Sequence, residues 1–245
     1  MLAIIGGSGL SRLAHLSQAT KSASTTPYGE PSGPLTLGSM GGHPLAFLAR
    51  HGYDHSIAPH QINYCANVWM LKQHGVTKVV SVAAVGGIRN SFGPGVLVLP
   101  HQLIDYTWGR RATFFEGAGC PVTHIDFTEP YTAGLREAIL DAAKACGVSL
   151  AEGGVYAATQ GPRLETAAEI DRLERDGADL VGMTGMPEAA LARELGMDYA
   201  TIAVVANHAA GRGDSARQVS MQAIEDVLEE AMGRVLRIVE RLAAQ

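Results

Sequence analysis

The chain has 245 residues, of which 47% are hydrophobic and 18% are charged. This length and composition suffice for one large buried core and are not those of a disordered chain. The net charge is −5, and the 19 Lys and Arg residues are scattered, so the sequence offers no basic surface for nucleic acid or an anionic membrane. Small polar ligands remain open as partners.

The cysteines and the first ten residues indicate the compartment. Cys65, Cys120 and Cys146 are odd in number and lack a CxxC spacing, which argues against a disulfide framework and a zinc ribbon. The N-terminal stretch MLAIIGGSGL has no basic region and reaches glycines after four apolar residues, so we expect a first buried strand and neither a signal peptide nor a membrane span. Both features favour a cytoplasmic protein.

Short apolar runs alternate with helical patterns along the chain. The runs predicted to be strands are, in chain order, LAIIG, LAFLA, KVVSVAAV, VLVLP, GVYAAT, ADLVGM and YATIAVVA. Helices are predicted over 60–74, 131–146 and 166–176, from Pro187 to Gly196, and from Ser220 onward. This alternation predicts an α/β fold with a central, mainly parallel or mixed sheet flanked by helices, formed by residues 1–245 as a single domain.

Ligands of such sheets gather at the carboxyl ends of the strands, so the residues that follow the predicted strands are the candidates for a site. GGSG follows the first strand and matches neither a P-loop nor a dinucleotide fingerprint. Its backbone N–H groups and the Ser8 hydroxyl suit one anion, although a plain tight turn explains the glycines equally well.

Arg50 and His51 follow the second predicted strand, and His55 lies four residues on. An arginine fork is a good phosphate partner, and a solvated loop is the alternative. A metal site built from His51, His55 and His60 is less favoured, because the sequence supplies neither a Glu partner nor a regular helix there.

Two later strand ends carry further polar groups. Met183 and Thr184 lie between a buried strand and the helix that Pro187 opens, and Asn207 closes an apolar strand. Taken singly, Met183 fits the core, Thr184 a helix entry and Asn207 a turn. Because all three are predicted at the strand ends of one sheet, we expect them to contribute to a ligand site.

Glu165 precedes a helix that does not need it. Thr166 and Glu169 have the spacing of a capping box, in which each satisfies a backbone N–H of the first turn. The Glu165 carboxylate is therefore either a solvated charge near a helix N-terminus or a ligand contact.

The blocks GGSG, RHG with a following His, AAVGG, GPRLET and MTGMPEA, together with the strand ending in Asn207, resemble the trimeric purine nucleoside and methylthioadenosine phosphorylase family. The resemblance runs in order through nearly the whole chain. It implies a nucleoside phosphorylase fold, a homotrimer, and attack of inorganic phosphate on C1′ of a purine nucleoside without another cofactor or a metal. Such chemistry needs a positioned phosphate and a stabilised leaving base.

The resemblance also implies roles for particular residues. Phosphate would be held by Ser8, Arg50, His51, Ala83, Ala84 and Thr184, with Ala84 acting through its backbone. Ala83 stands where relatives often offer a Thr hydroxyl, which predicts weaker phosphate binding. Met183 would lie beneath the ribose with His55 near it, and Asn207 and His55 are the catalytic candidates. The other substrate contacts would be Leu164, Glu165, His208, Ala209, Val219, Met221, Ile224 and, from a neighbouring subunit, His124.

The two ends of the substrate are predicted separately. An ionised Glu165 accepts the N1 hydrogen of a 6-oxopurine, and the Asn207 amide both accepts from N7–H and donates to O6. By resemblance, adenine-using members carry a small hydroxyl residue and an Asp at these places, so hypoxanthine or guanine is expected. Near the last helix, Val219, Met221 and Ile224 offer an apolar wall that suits a methylthio group, although such spacing is also typical of helix core.

The combination predicts phosphorolysis of 5′-methylthioinosine. Methylthioadenosine phosphorylase and a broad inosine/guanosine phosphorylase remain as alternatives. A nucleosidase that uses water and a non-catalytic purine-binding protein are the other classes considered.

Overall fold

A computed structural model describes residues 1–7, 10 and 16–245. Its strands are β1 (Leu2–Gly6), β2 (Ser17–Ser22), β3 (Leu35–Met40), β4 (His43–Ala49), β5 (Lys78–Gly87), β6 (Leu97–Leu99), β7 (Gln102–Asp105), β8 (Ala151–Glu152), β9 (Val155–Ala158), β10 (Leu180–Gly182) and β11 (Asp198–His208). Its α-helices are α1 (Tyr64–Gln73), α2 (Ala133–Ala145), α3 (Ala167–Arg175), α4 (Glu188–Glu194) and α5 (Met221–Ala243). The predicted α/β fold with a mixed central sheet is confirmed.

The strands form one mixed sheet with β5 at its centre. Along the main path the order is β2-β3-β4-β1-β5-β10-β9-β7, and β11 also pairs with β5 and leads to β6 and β8. β4, β1, β5 and β11 run parallel to one another, as do β10, β9 and β7, whereas β10 pairs antiparallel with β5. The carboxyl ends of β4, β5 and β11 therefore lie at one edge, where ligands of such sheets collect.

The apolar runs became strands because they are buried on both faces. β1 and β11 are nearly continuous apolar stretches, and their interior residues are buried. The polar edge strand β2 (SQATKS) was not predicted, because five of its six residues are exposed and it carries no apolar signal. β7 and β8 were missed as well, since short strands at a sheet margin give little periodicity. β3 was also missed, because only its first two residues are buried.

The helix predicted from residue 60 begins later. Pro59–Gln61 forms a 3-10 turn, and Asn63 caps α1 by accepting a hydrogen bond from the backbone N–H of Ala66 at 3.0 Å. The long helix α5 begins as predicted: the Ser220 hydroxyl accepts from the backbone N–H of Ala223. Its apolar stripe packs against α2 and β11, and so closes one face of the sheet.

Candidate active site

A cavity of about 440 Å³ opens at the carboxyl ends of β4, β5 and β11. In the central strand β5, Ala84 is exposed, although the residues on either side of it are buried. Most of the residues singled out in the sequence lie at this cavity: Arg50, His51, His55, Ala83, Ala84, Leu164, Glu165, Met183, Thr184, Asn207, Ala209, Val219 and Ile224.

Arg50 is anchored beneath the cavity. Its side chain is 1% exposed, and Nε and Nη2 donate to both oxygens of Glu188 at 2.8 and 3.0 Å. Nη2 also donates to the Ser81 hydroxyl and Nη1 to the carbonyl of Val82. Burial works against the charge of Arg50, but the Glu188 carboxylate outweighs it and raises the pKa further above its usual value.

This arrangement corrects the expectation of a guanidinium fork free to take a phosphate. The guanidinium group instead forms a bidentate pair with Glu188, whose Oε1 also accepts from the hydroxyl of Tyr199 at 2.9 Å. Among the described residues one Nη1 hydrogen is left without an acceptor, and Nη1 lies beside Gly7. Arg50 therefore offers an anion one hydrogen bond from Nη1 and not a bidentate contact.

His51 is neutral in this environment. Burial and the charge of Arg50 lower its pKa from 6.5 to about 4. Nδ1 lies 2.8 Å from the carbonyl of Ile57, so Nδ1 carries the hydrogen and Nε2 is left as an acceptor beside Gly7. A protonated oxygen of a ligand anion is the partner that this nitrogen suits.

The loop of Met183 and Thr184 is shaped by Tyr156. A Cβ on Gly182 would stand 2.2 Å from the Tyr156 hydroxyl oxygen, and one on Gly185 would stand 2.9 Å from the ring, so only glycine fits at either place. The backbone N–H of Thr184 points to the same hydroxyl at 3.4 Å. The buried ring thus fixes both ends of the turn that presents Met183 and Thr184 to the cavity.

Glu165 and Asn207 line the same cavity. The hydroxyl of Thr159 donates to Oε1 of Glu165 at 2.7 Å, and among the described residues Oε2 has no hydrogen-bond partner. Nδ2 of Asn207 donates to the carbonyl of His208 at 2.5 Å, which leaves Oδ1 and one amide hydrogen. The capping box of Thr166 and Glu169 forms as predicted, so the helix does not use Glu165.

Val219 and Ile224 are among the apolar residues that line the cavity. Met221, which is 56% exposed, lines an adjoining cavity of about 520 Å³ that shares His55 and Ile224 with the first. The His51 and His55 ring centroids are 4.8 Å apart. Among the described residues no group of three His, Cys, Asp or Glu side chains is arranged to hold a metal ion.

Four predicted residues are not placed at this cavity, and one of them is Met221, which lines the adjoining one. Ser8 lies outside the described residues. The His208 ring packs against Gly93 and Gly213 and lies 3.7 Å from Asp214, and its contact with the substrate stays a prediction. His124 is exposed in the single chain, where the contact predicted across a subunit boundary stays a prediction.

Several residues of the site were not found from the sequence. Glu188 stands in the MPEA block, but its pairing with Arg50 spans 138 positions, which no local pattern indicates. Thr159 ends a predicted strand, and a polar residue at a strand end was an available signal. Ile57, Ala58 and Pro59 line the cavity from a loop without a distinctive motif.

Across the chain, no helix within the described residues is both long and apolar enough to cross a membrane. The arrangement at the cavity combines one buried cation, a neutral imidazole acceptor, a carboxylate oxygen, an amide and an apolar wall. Such a set can bind an anion at one end and a polar heterocycle at the other.

Comparisons with known proteins agree on a family. Residues 1–244 match the Phosphorylase superfamily. A probable S-methyl-5′-thioinosine phosphorylase of Xanthomonas campestris pv. campestris is 54% identical over 99% of this chain and 96% of that protein. A 6-oxopurine nucleoside phosphorylase of Pyrococcus furiosus is 41% identical over 97% of this chain and 90% of that protein.

A solved structure agrees in fold. The methylthioadenosine phosphorylase of Schistosoma mansoni, in complex with adenine, superimposes with a TM-score of 0.93 at 31% identity, over 99% of this chain and 90% of that one. The match over 244 residues and the identities above 30% assign the family without reference to any single motif. The chain belongs to the phosphorylase superfamily.

Proposed function

We propose that this protein is a pentosyltransferase that cleaves S-methyl-5′-thioinosine with inorganic phosphate, giving hypoxanthine and 5-methylthioribose 1-phosphate. The observation that carries the proposal is that Glu165 and Asn207 line one cavity together with the apolar residues Val219 and Ile224. The polar pair suits a 6-oxopurine, and the apolar pair suits a methylthio group.

Phosphate is the co-substrate, and the proposal needs no metal or organic cofactor. The remaining Nη1 hydrogen of Arg50, the hydroxyl of Thr184 and the backbone at Ala84 are the donors proposed for its oxygens, with Ser8 as a further candidate. Nε2 of the neutral His51 accepts from the P–OH group of HPO₄²⁻. A phosphate oxygen then bonds to C1′ as the bond from C1′ to the purine N9 breaks.

The leaving base takes the electron pair of the broken bond, and its N7 takes a proton from solvent, while the sugar 1-phosphate releases the P–OH proton to solvent. Asn207 stabilises this form, because Oδ1 accepts from N7–H while the amide nitrogen donates to O6. Glu165 accepts from N1–H through Oε2, since Oε1 is held by Thr159. Adenine presents a lone pair at N1, so the same carboxylate disfavours it, and unpaired buried polar groups reject a wrong substrate by ~10⁴-fold or more.

The names of the relatives support this choice of base. The relatives that are 50–54% identical over nearly the whole chain are probable S-methyl-5′-thioinosine phosphorylases, and others are 6-oxopurine nucleoside phosphorylases. The second candidate is therefore a 6-oxopurine phosphorylase that accepts inosine or guanosine. The solved methylthioadenosine phosphorylase supports the fold, whereas the carboxylate of Glu165 favours a 6-oxopurine over adenine.

The test is a comparison of methylthioinosine, methylthioadenosine and inosine at equal concentration, with and without phosphate. The proposal predicts release of hypoxanthine from methylthioinosine that requires phosphate and yields the sugar 1-phosphate in equal amount. Hypoxanthine release without phosphate would indicate a nucleosidase, and preference for inosine would overturn the assignment of the apolar wall.

We further propose a homotrimer in the cytoplasm. The trimer is what the resemblance to the trimeric phosphorylases implies, and it would bring His124 of one subunit near the sugar end of the next. Sedimentation equilibrium of the purified protein tests it, with a mass of about three chains of 25.7 kDa as the expected result.

A further inference from the structure

Arg110 connects the two loops that carry the proposed base and phosphate contacts. One loop follows β9 and leads to Glu165, and the other follows β10 and contains Met183 and Thr184. Arg110 itself lies on a third loop, after β7, and is not among the residues that line the cavity. It is therefore placed to act on the site through the backbone and not on the ligand.

Most of the hydrogen bonds of its guanidinium group go to these two loops. In the loop after β9, Nη2 donates to the carbonyls of Thr159 and Gln160 at 3.2 and 2.8 Å, and Nε donates to the side-chain oxygen of Gln160 at 3.2 Å. In the loop after β10, Nη1 donates to the carbonyls of Met183 and Met186 at 2.8 and 2.6 Å. The five N–H donors of a guanidinium form a fixed fork that reaches acceptors on both loops, whereas an ammonium group offers three donors from a single nitrogen.

The same group reaches a third wall of the cavity. Nη1 also donates to the hydroxyl of Tyr64 at 3.2 Å, and that hydroxyl donates to the carbonyl of Pro59, which lines the cavity. Among the described residues Arg110 forms no ion pair with a carboxylate, so its charge is compensated by carbonyl, amide and phenol dipoles. A cation with no acidic partner among the described residues and five hydrogen bonds to these two loops acts chiefly by ordering them.

We infer that Arg110 is a positioning residue for the proposed reaction, because it sets the distance between the Glu165 loop and the Met183–Thr184 loop. The inference rests on the proposed function in one respect: both loops must contact the same substrate. Correct placement of two binding elements matters to rate, since a misplacement of ~1 Å can cost on the order of 100-fold.

The experiment compares Arg110→Ala with Arg111→Ala in the full-length protein. Arg111 is the adjacent arginine, and it is 42% exposed and pairs with Glu116 at the surface. Hydrogen exchange of the backbone amides is measured first, because it needs no substrate. Faster exchange in both loops, 159–166 and 183–187, is expected for Arg110→Ala but not for Arg111→Ala, and unchanged exchange in either loop would overturn the inference.

Kinetics provide the second measurement. For the nucleoside that the wild type cleaves, Arg110→Ala is expected to lower kcat/KM by about 100-fold, with partial rescue by millimolar guanidinium chloride and none by sodium chloride. Arg111→Ala keeps wild-type constants. A folded Arg110→Ala with wild-type constants, or a loss that guanidinium leaves unchanged, would contradict the positioning role.

If Arg110→Ala does not fold, Arg110→Lys decides the question. Lysine keeps the charge but cannot span both loops, so faster exchange in the two loops with a small change in Tm supports the inference, and wild-type exchange refutes it. Absence of phosphorolysis in the wild type itself would refute the proposed function and leave the exchange result valid.

Discussion

The hydroxyl of Thr159 donates a hydrogen bond of 2.7 Å to Oε1 of Glu165. Thr159 follows β9, and Glu165 stands six residues later, just before α3 begins. Since the helix is capped by Thr166 and Glu169, the Glu165 carboxylate takes its orientation from Thr159 and not from the helix. One oxygen is fixed, and the other remains for a ligand.

Replacing Thr159 with Val should therefore impair recognition of the base while preserving the shape of the site. A hydrogen bond to a charged group contributes ~1.5–3 kcal/mol, so we expect kcat/KM for methylthioinosine to fall about tenfold or more. Thr159→Ser keeps the hydroxyl and should retain most activity. Steady-state kinetics of both variants check this, and equal activity of Thr159→Val and wild type would show that Glu165 is oriented by something else.

The buried pair of Arg50 and Glu188 should be sensitive to a change of charge on one side. Glu188→Gln leaves the Arg50 cation buried without its counter-charge, and breaking such a pair costs ~3–5 kcal/mol. We expect a lower Tm and a higher KM for phosphate, because Arg50 would lose its anchor. Arg89→Gln is the control, since Arg89 is 55% exposed and its pair with Asp179 should contribute less than ~1 kcal/mol. Similar losses in the two variants would contradict this account.

His51 should make stability depend on pH in the acidic range. Its pKa is lowered from 6.5 to about 4, chiefly by burial, so between these values the unfolded chain binds a proton at this residue and the folded protein does not. The free energy of unfolding therefore falls as the pH drops from 6.5 to 4. Denaturant melts across this range should show a shallower decline for His51→Gln than for wild type, and parallel curves would refute a neutral buried His51.

Val219 offers a test of the apolar wall. A histidine at this position would place a hydrogen-bonding group near the proposed 5′ end, where Val219 and Ile224 now line the cavity. We expect Val219→His to raise kcat/KM for inosine relative to methylthioinosine, whereas Val219→Leu should keep the preference of the wild type. The ratio of the two constants is the measurement, and an unchanged ratio in Val219→His would place the 5′ group elsewhere.

The sequence predicted the parts of the fold that depend on burial. The apolar runs that became β1, β5 and β11 are buried on both faces, and this pattern is visible in the residue types alone. The edge strand β2 was not predictable in this way, because its polar residues are held by pairing with β3 and not by burial. Pairing partners are a property of the whole chain.

The same distinction applies to the site. The positions of Arg50 and Asn207 at the cavity followed from their places at strand ends, and that of Glu165 from a capping box that leaves its carboxylate unused. The hydrogen bonds that restrict Arg50 could not be predicted in this way, because Glu188 lies 138 residues away. The hydrogen bonds of Arg110 likewise join segments that are far apart in the chain. The sequence shows which residue stands at each position. The donors and acceptors that this residue keeps available for a ligand depend on the contacts it makes after folding.

The selectivity of the base edge is tested most directly by internal competition. Equal concentrations of methylthioinosine and methylthioadenosine are mixed with the enzyme and phosphate, and the ratio of hypoxanthine to adenine released at early times gives the ratio of the two kcat/KM values. The Glu165 carboxylate and the Asn207 amide at one cavity predict hypoxanthine in excess by ~10⁴-fold. Adenine in equal or greater amount would contradict the account.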